Sequence, residues 1–398
     1  MSRRSPGRAT LEARWAHHDL QWREPEDVAF QWDGTERLDP RLFEHRVEGD
    51  FWDVLADAGG SLVLTREYEH LVVGLHVERS RPRVSYLRLP HPNGLAVDVA
   101  RKRLFVASTR NPNLLFELGA ARHLVPSRST LASSSLTGCL LPLRSFHFPG
   151  CLYIHDVVFV GRDLYATAAG LNAVVKIASD GRSRPVWWPK CIDGPHGPRF
   201  ERNYLQLNSI AAGQSLLQSF FTASASRPSR RRPGHLNFPV DGRGVVFSGR
   251  TREVAARGLT RPHSLRFHEG ALFVDNSGYG EVGRVADGRF EALCRLSGWT
   301  RGLCFHGSVA FVGTSRVIPR FRHYAPGVEP RRARAGVHAV DLRTGRVLGS
   351  LTWPLGNQIF GMELTATLGS RGFAFCPEER RPNDVRAFYS RAAVSKWK

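Results

Sequence analysis

Short apolar runs rich in Val, Leu, Phe and Tyr recur along almost the whole chain, broken by Gly, Asp, Asn and Pro, while the 3.6-residue spacing of an amphipathic helix is scarce. The pattern predicts an all-β protein. Several runs begin alike: "HPNGLAVDVARKRLFVAST" from 91, "YIHDVVFVGRDLYATAAGLNAVVKI" from 153, "QLNSIAAGQSLLQSFFTA" from 206, "RPHSLRFHEGALFVDNSGYGEVGRV" from 261, "TRGLCFHGSVAFVGTS" from 300 and "QIFGMELTATL" from 358. In each, a polar residue or glycine opens an apolar strand. All but the last then turn tightly into a second strand.

With Asn93, His155, Asn208, His263, Arg301 and Gly361 as the opening positions, or doorways, the intervals are 62, 53, 55, 38 and 60 residues. A mean near 54 fits one four-stranded sheet with its loops, and periods of this order mark propeller blades. Six doorways predict a six-bladed β-propeller over residues 51–376. "GGSLVLTREYEHLVVGLHV" from 59 reads as the hairpin that starts the ring, and "GVHAVDLRTGRVLGSLTWP" from 336 as an outer hairpin of a late blade with Thr-Gly in its turn. Residues 1–50, with Trp15, Trp22, Phe30 and Trp32 among many charges, read as an extension packing on the ring, and 377–398 as a surface tail.

Composition changes this picture little. The chain has 398 residues, 42% of them hydrophobic and 23% charged, ordinary values for a globular protein. No apolar run approaches the length of a membrane helix, so no membrane role is expected. The N-terminus shows basic residues without an apolar segment behind them, and a cytoplasmic location is the expectation. Six scattered cysteines form no Cys-x-x-Cys pair, which argues against a zinc ribbon or a disulfide framework. The formal charge of +20 raises a nucleic-acid reading, but only five of the 56 basic residues are lysine and the arginines are spread through every segment. A nucleic-acid partner is therefore not expected. One real cluster, Arg227 with Arg230, Arg231 and Arg232, lies in a Ser/Pro/Gly loop open to solvent or to an anionic partner.

The segments "HPNGLAV", "HDVVF", "LNSIA", "RPHSLRFHEGALFVDNSGYGEVGRV", "GWTRGLCFHGSVAFVGTSR" and "GVHAVDLRTGRV" resemble the conserved hypothetical bacterial proteins grouped as domain of unknown function 4915, over roughly residues 50 to 365. The resemblance implies a six-bladed propeller of the broad superfamily of gluconolactonases, strictosidine-synthase-like proteins and NHL-repeat proteins. It implies no reaction. The chain departs from the family pattern at Gln206, where a histidine is expected, and in the arginine-rich insertion.

In a propeller the innermost strand of each blade lines the channel, so the doorways form a ring: Asn93, His155 with Asp156, Asn208, His263 and Arg301. Imidazole, carboxylate and amide groups converging there would suit one divalent ion, His favouring Zn, Fe or Mn and the oxygens Ca or Mg. By analogy with gluconolactonase-type propellers, Asp156, Asn208 and Glu363 are the candidate metal ligands. Without a metal, His155 or His263 serves as general base, with Asp156 orienting one of them and Arg301 neutralising an anionic substrate or developing oxyanion. Asn93 and Asn276 are candidate substrate contacts. The plainer alternative is that these groups only hydrogen-bond neighbouring blades and channel water. "GYGEVG" at 278–283 has no helix after it and carries no dinucleotide-binding meaning. Two functions follow: a hydrolase or isomerase of a small polar metabolite such as a lactone, or a non-catalytic propeller that binds an anionic ligand or protein partner.

Overall fold

The computed structural model describes residues 38–110, 113–120, 138–148, 150 and 152–377. Trp15, Trp22, Phe30 and Trp32, and all of the expected tail but its first residue, lie outside them.

Six antiparallel sheets form the blades of a propeller. Their inner strands are Pro92–Asp98, Ile154–Val160, Leu207–Ala211, Pro262–His268, Trp299–His306 and Ile359–Leu364. Each carries one of the six doorways. We number the blades from the hairpin Leu62–Arg66 and Leu71–Glu78, which with Arg81–Arg88 makes the outer part of blade 1. The inner strand of that blade is Ile359–Leu364, so the ring closes by pairing the late strand with the early one, Leu64 opposite Met362. The blades led by Pro92, Ile154, Leu207, Pro262 and Trp299 follow as blades 2 to 6.

Blade 6 has a fifth, outermost strand, Arg46–Gly49, paired with Val347–Trp353. The ring therefore reaches back into the stretch read as an N-terminal extension. It is followed by one helix, α1 (Phe51–Asp57), whose Phe51 and Leu55 are fully buried against blade 6, Phe51 lying edge-on to Phe311. After the last inner strand the chain runs on to bridge Phe375 to Tyr86 and Phe373 to Leu140.

The core lies between successive sheets. Strand alternation gives each sheet two apolar faces, and each face buries only against its neighbour, as with Trp187 of blade 3 on Phe221 of blade 4 at 4.0 Å between ring centroids. Each such fully buried Leu or Phe contributes about 1.5–3 kcal/mol.

Near the axis the blades approach so closely that side chains must be absent. A Cβ on Gly94 would meet the Asp156 backbone at 2.8 Å, and one on Gly361 would strike the Asn93 carbonyl.

Candidate functional site

In all six blades the ladder between the inner and second strands shifts register at the doorway, just after Pro92, Ile154, Leu207, His263, Thr300 and Ile359. A bulge frees backbone groups from the ladder and re-aims side chains. Hydroxyls on second strands take over several of the freed N–H groups: Asp156 donates to Thr167 Oγ1 at 2.9 Å, Ser209 to Thr222 Oγ1 at 3.1 Å, Ile359 to Ser315 Oγ at 3.0 Å and Gly361 to Thr65 Oγ1 at 2.8 Å.

Two residues before four of the doorways the backbone is left-handed: His91, Tyr153, Gln206 and Arg261 have φ of 42°, 52°, 53° and 54°. This conformation costs a non-glycine residue about 1–2 kcal/mol, and such strain gathers at functional sites. It turns Tyr153, Gln206 and Arg261 into a cavity of about 820 Å³ at the doorway end of the channel. Tyr153 and Arg261 were missed from sequence, and Gln206 was noted only as a departure from the family pattern. The signal available was a bulky residue at the same offset, two before the doorway.

The floor of the cavity holds His155, His263, Arg301 and Phe360, which also cap a much smaller chamber deeper in the channel. Ring contacts build the walls: Trp299 and Tyr324 flank Phe321 at 5.5 and 5.4 Å, and Tyr68 stacks on Phe321 at 6.5 Å. Five arginines (Arg110, Arg202, Arg232, Arg261, Arg301) face the space against two glutamates, Glu67 and Glu201. The cavity is cationic and aromatic.

Arg261 is 2% exposed, yet its neighbours are neutral acceptors: Nη1 donates to Gln206 Oε1 at 2.9 Å and to the Pro233 carbonyl at 3.3 Å. Its guanidinium lies 3.8 Å above the Tyr324 ring, and its Nε finds no hydrogen-bond partner. Burial pushes its pKa down to about 10. Arg301, stacked on Phe360, is likewise lowered to about 10 by burial, with Glu67 opposing.

These charges govern the histidines. Burial first, then Arg301 and Arg261, hold both His155 and His263 well below the ordinary imidazole range. For His155 the Asn208 amide beside it offsets only part of this. Both rings are therefore neutral at pH 7. His263 is fixed by a 2.9 Å hydrogen bond between Nδ1 and Ser277 Oγ and by an edge-on contact with Trp299. Across the ladder from His263, Asp275 is fully buried, and desolvation holds its carboxyl well above the usual range.

The remaining doorway residues do other work. Asn93 donates to the Ile154 carbonyl and accepts from Gly94 N, so both ends of its amide are engaged by backbone. Asn276 accepts from Thr260 N at 2.7 Å and donates to Glu281 at 2.8 Å. Neither lines the cavity: Asn93 is held by backbone groups, and Asn276 by the Thr260 backbone and the Glu281 side chain. Asp156 and Asn208 border the smaller chamber. Asn208 donates to Ser224 Oγ and the Pro262 carbonyl. Glu363 sits 3.9 Å from Arg266.

A divalent ion is not well served by this set. Both carboxylate oxygens of Asp156 are taken, by Arg266 at 2.8 and 3.1 Å and by the amides of Val157 and Ile210. Among the described residues no three His, Cys, Asp or Glu side chains gather as metal ligands, and the surrounding charge is that of buried arginines. Asp156 orients Arg266 rather than a histidine.

The family described as Domain of unknown function (DUF4915) matches residues 49–368. No curated protein matches this chain in sequence. Among solved structures, the chain is similar to that of a nidogen/laminin complex, with 12% identity, 77% of this chain and 98% of that chain covered, and a TM-score of 0.48. It is also similar to a gluconolactonase from Xanthomonas campestris, with 13% identity, coverage of 76% and 87%, and a TM-score of 0.45. A third similar structure is virginiamycin B lyase from Staphylococcus aureus, with 11% identity, coverage of 74% and 77%, and a TM-score of 0.39.

Proposed function

Since the chain belongs to the DUF4915 family, whose description names no reaction, we propose from the site itself that it is an enzyme acting on a small anionic metabolite at the doorway end of the channel. One observation carries the reading: two buried guanidiniums, Arg261 and Arg301, and two neutral imidazoles line a single cavity. Buried cations among neutral acceptors are costly, and a bound anion relieves the cost.

A neutral imidazole can accept a proton. His263, oriented through Nδ1 by Ser277, is the general base of this reading, and His155 the second proton carrier. Arg301 stabilises negative charge that develops on a substrate oxygen, whether in water addition to a lactone carbonyl or in proton removal beside one. The chemistry is hydrolysis or isomerisation. Among the described residues the His, Cys, Asp and Glu donors do not converge on a metal, and the proposed roles fall to side chains alone.

A second reading has one observation in its favour. Arg227, Arg230, Arg231 and Arg232 are exposed, and Arg232 also lines the cavity, so the rim offers an anionic protein a charged landing.

The test is a product screen by NMR with purified full-length chain and a panel of anionic lactones and hydroxy or keto acids. Turnover by the wild type that falls at least 100-fold in His263→Gln, with binding retained, is the expected result. Ligands that bind and stay chemically unchanged would remove the enzymatic reading and leave the binding one.

A further inference from the structure

Resting on the anion-binding reading above, we propose that the metabolite is an aromatic carboxylate, its carboxylate on the arginine floor and its ring against the Trp299, Phe321 and Tyr324 wall.

Volume excludes the smallest candidates. A cavity of about 820 Å³ is near the upper end of ordinary small-molecule sites and far exceeds what a two- or three-carbon acid fills. The walls then decide between a hydroxyl-rich acid and a ring-bearing one. Trp299, Phe321 and Tyr324 form one continuous apolar face with centroid separations of 5.5, 5.4 and 6.3 Å, spacings at which rings pack on rings. Two neutral polar side chains on the lining are already committed. Gln206 Oε1 accepts from Arg261, and the Thr109 hydroxyl donates to Glu67 Oε1 at 2.8 Å. A hydroxyl laid against the Trp299, Phe321 and Tyr324 face would lose water and gain rings in exchange.

Two orphaned donors fix the polarity of the guest. Trp299 lines the cavity, is 3% exposed, and its indole N–H has no acceptor; Arg261 Nε has none either. Buried donors are nearly always paired, so a bound acceptor belongs here. The planar fork of a guanidinium matches a carboxylate. The Arg261 guanidinium carbon lies 3.8 Å from the centre of the Tyr324 ring, which places cation and aromatic wall side by side: the layout of an arylacetate or arylpyruvate.

The experiment is calorimetric titration of the full chain with indole-3-acetate, phenylacetate, phenyl phosphate, gluconate and acetate at one ionic strength. The expected result is that the aryl carboxylates bind at least about tenfold tighter than gluconate, with Phe321→Leu and Phe321→Ala progressively erasing that margin while acetate is unaffected. Gluconate binding as tightly as the aryl acids would overturn the ring assignment and leave the anion site standing. Phenyl phosphate winning by tenfold would overturn the carboxylate. If no anion binds, and Arg261→Gln changes nothing, the anion-binding reading falls along with it.

Discussion

Arg266 of blade 5 grips Asp156 of blade 3 with both terminal nitrogens, and blade 4 joins between them: Ile210 N donates to Asp156 Oδ2 at 3.0 Å while its carbonyl accepts from Arg266 at 3.1 Å. Three blades are stitched by one ion pair beside the channel. Removing Arg266 leaves the buried Asp156 carboxylate with only the Val157 and Ile210 amides, and removing Asp156 leaves Arg266 with Glu363 at 3.9 Å. Asp156→Ala and Arg266→Ala are each expected to cost about 3–5 kcal/mol in urea unfolding. A loss below about 1 kcal/mol would show that the stitch contributes nothing.

Arg261 differs because its surroundings are neutral. Arg261→Gln removes the cost of burying the charge together with two hydrogen bonds, so the melting temperature is expected to move little. Anion affinity is expected to fall about 30-fold, equivalent to about 2 kcal/mol. Calorimetry on a variant shown to be folded by circular dichroism checks both halves.

Gly94 tests the close approach at the axis. Its missing Cβ would meet Asp156 Cα and Val157 N, both at 2.8 Å, and both are backbone atoms that cannot swing aside. Gly94→Ala is therefore expected to destabilise by about 1–3 kcal/mol and to disturb His155, the neighbour of Asp156 in the displaced strand. Equilibrium unfolding measures it.

His338 supplies a pH signature away from the channel. It lies between Thr314 Oγ1 at 3.0 Å and Ser350 Oγ at 2.7 Å, and burial lowers its pKa from the ordinary 6.5 to about 4. As pH falls below about 6.5 the unfolded chain takes up a proton that the folded one refuses until about 4, so the folded state loses stability across that window and none above it. His338→Gln lacks the effect. The stability gap between wild type and variant is expected to be flat from pH 8 to about 6.5 and to narrow toward pH 4 in parallel thermal melts. A gap independent of pH would mean that His338 titrates normally in the fold.

The spacing of Asn93, His155, Asn208, His263, Arg301 and Gly361 was enough to read six blades, because every blade reuses one local plan: a polar or glycine start, an apolar strand, a tight turn. The outer hairpin around Thr344-Gly345 and the early hairpin from 62 were legible for the same reason. The fifth strand, Arg46–Gly49, was not, since all four of its residues are exposed and carry no alternation to detect.

At the site the division is sharper. The chain itself determined which residues stand at the doorways, and that His155, His263 and Arg301 come from matching positions. Only the tertiary structure decided where those side chains point. Six register shifts override the simple alternation of a strand, so Asn93 turns to backbone, Asp156 turns to Arg266, and Phe360 rather than Gly361 reaches the cavity. Two rings of the aromatic wall, Phe321 and Tyr324, come from a segment, Pro319–Tyr324, outside any repeat, and Arg261 and Tyr153 reach the cavity through left-handed backbone. Periodicity reports what neighbouring residues do to one another along a strand. Which groups share a cavity depends on bulges, loops and contacts between blades far apart in sequence, and no local pattern encodes these.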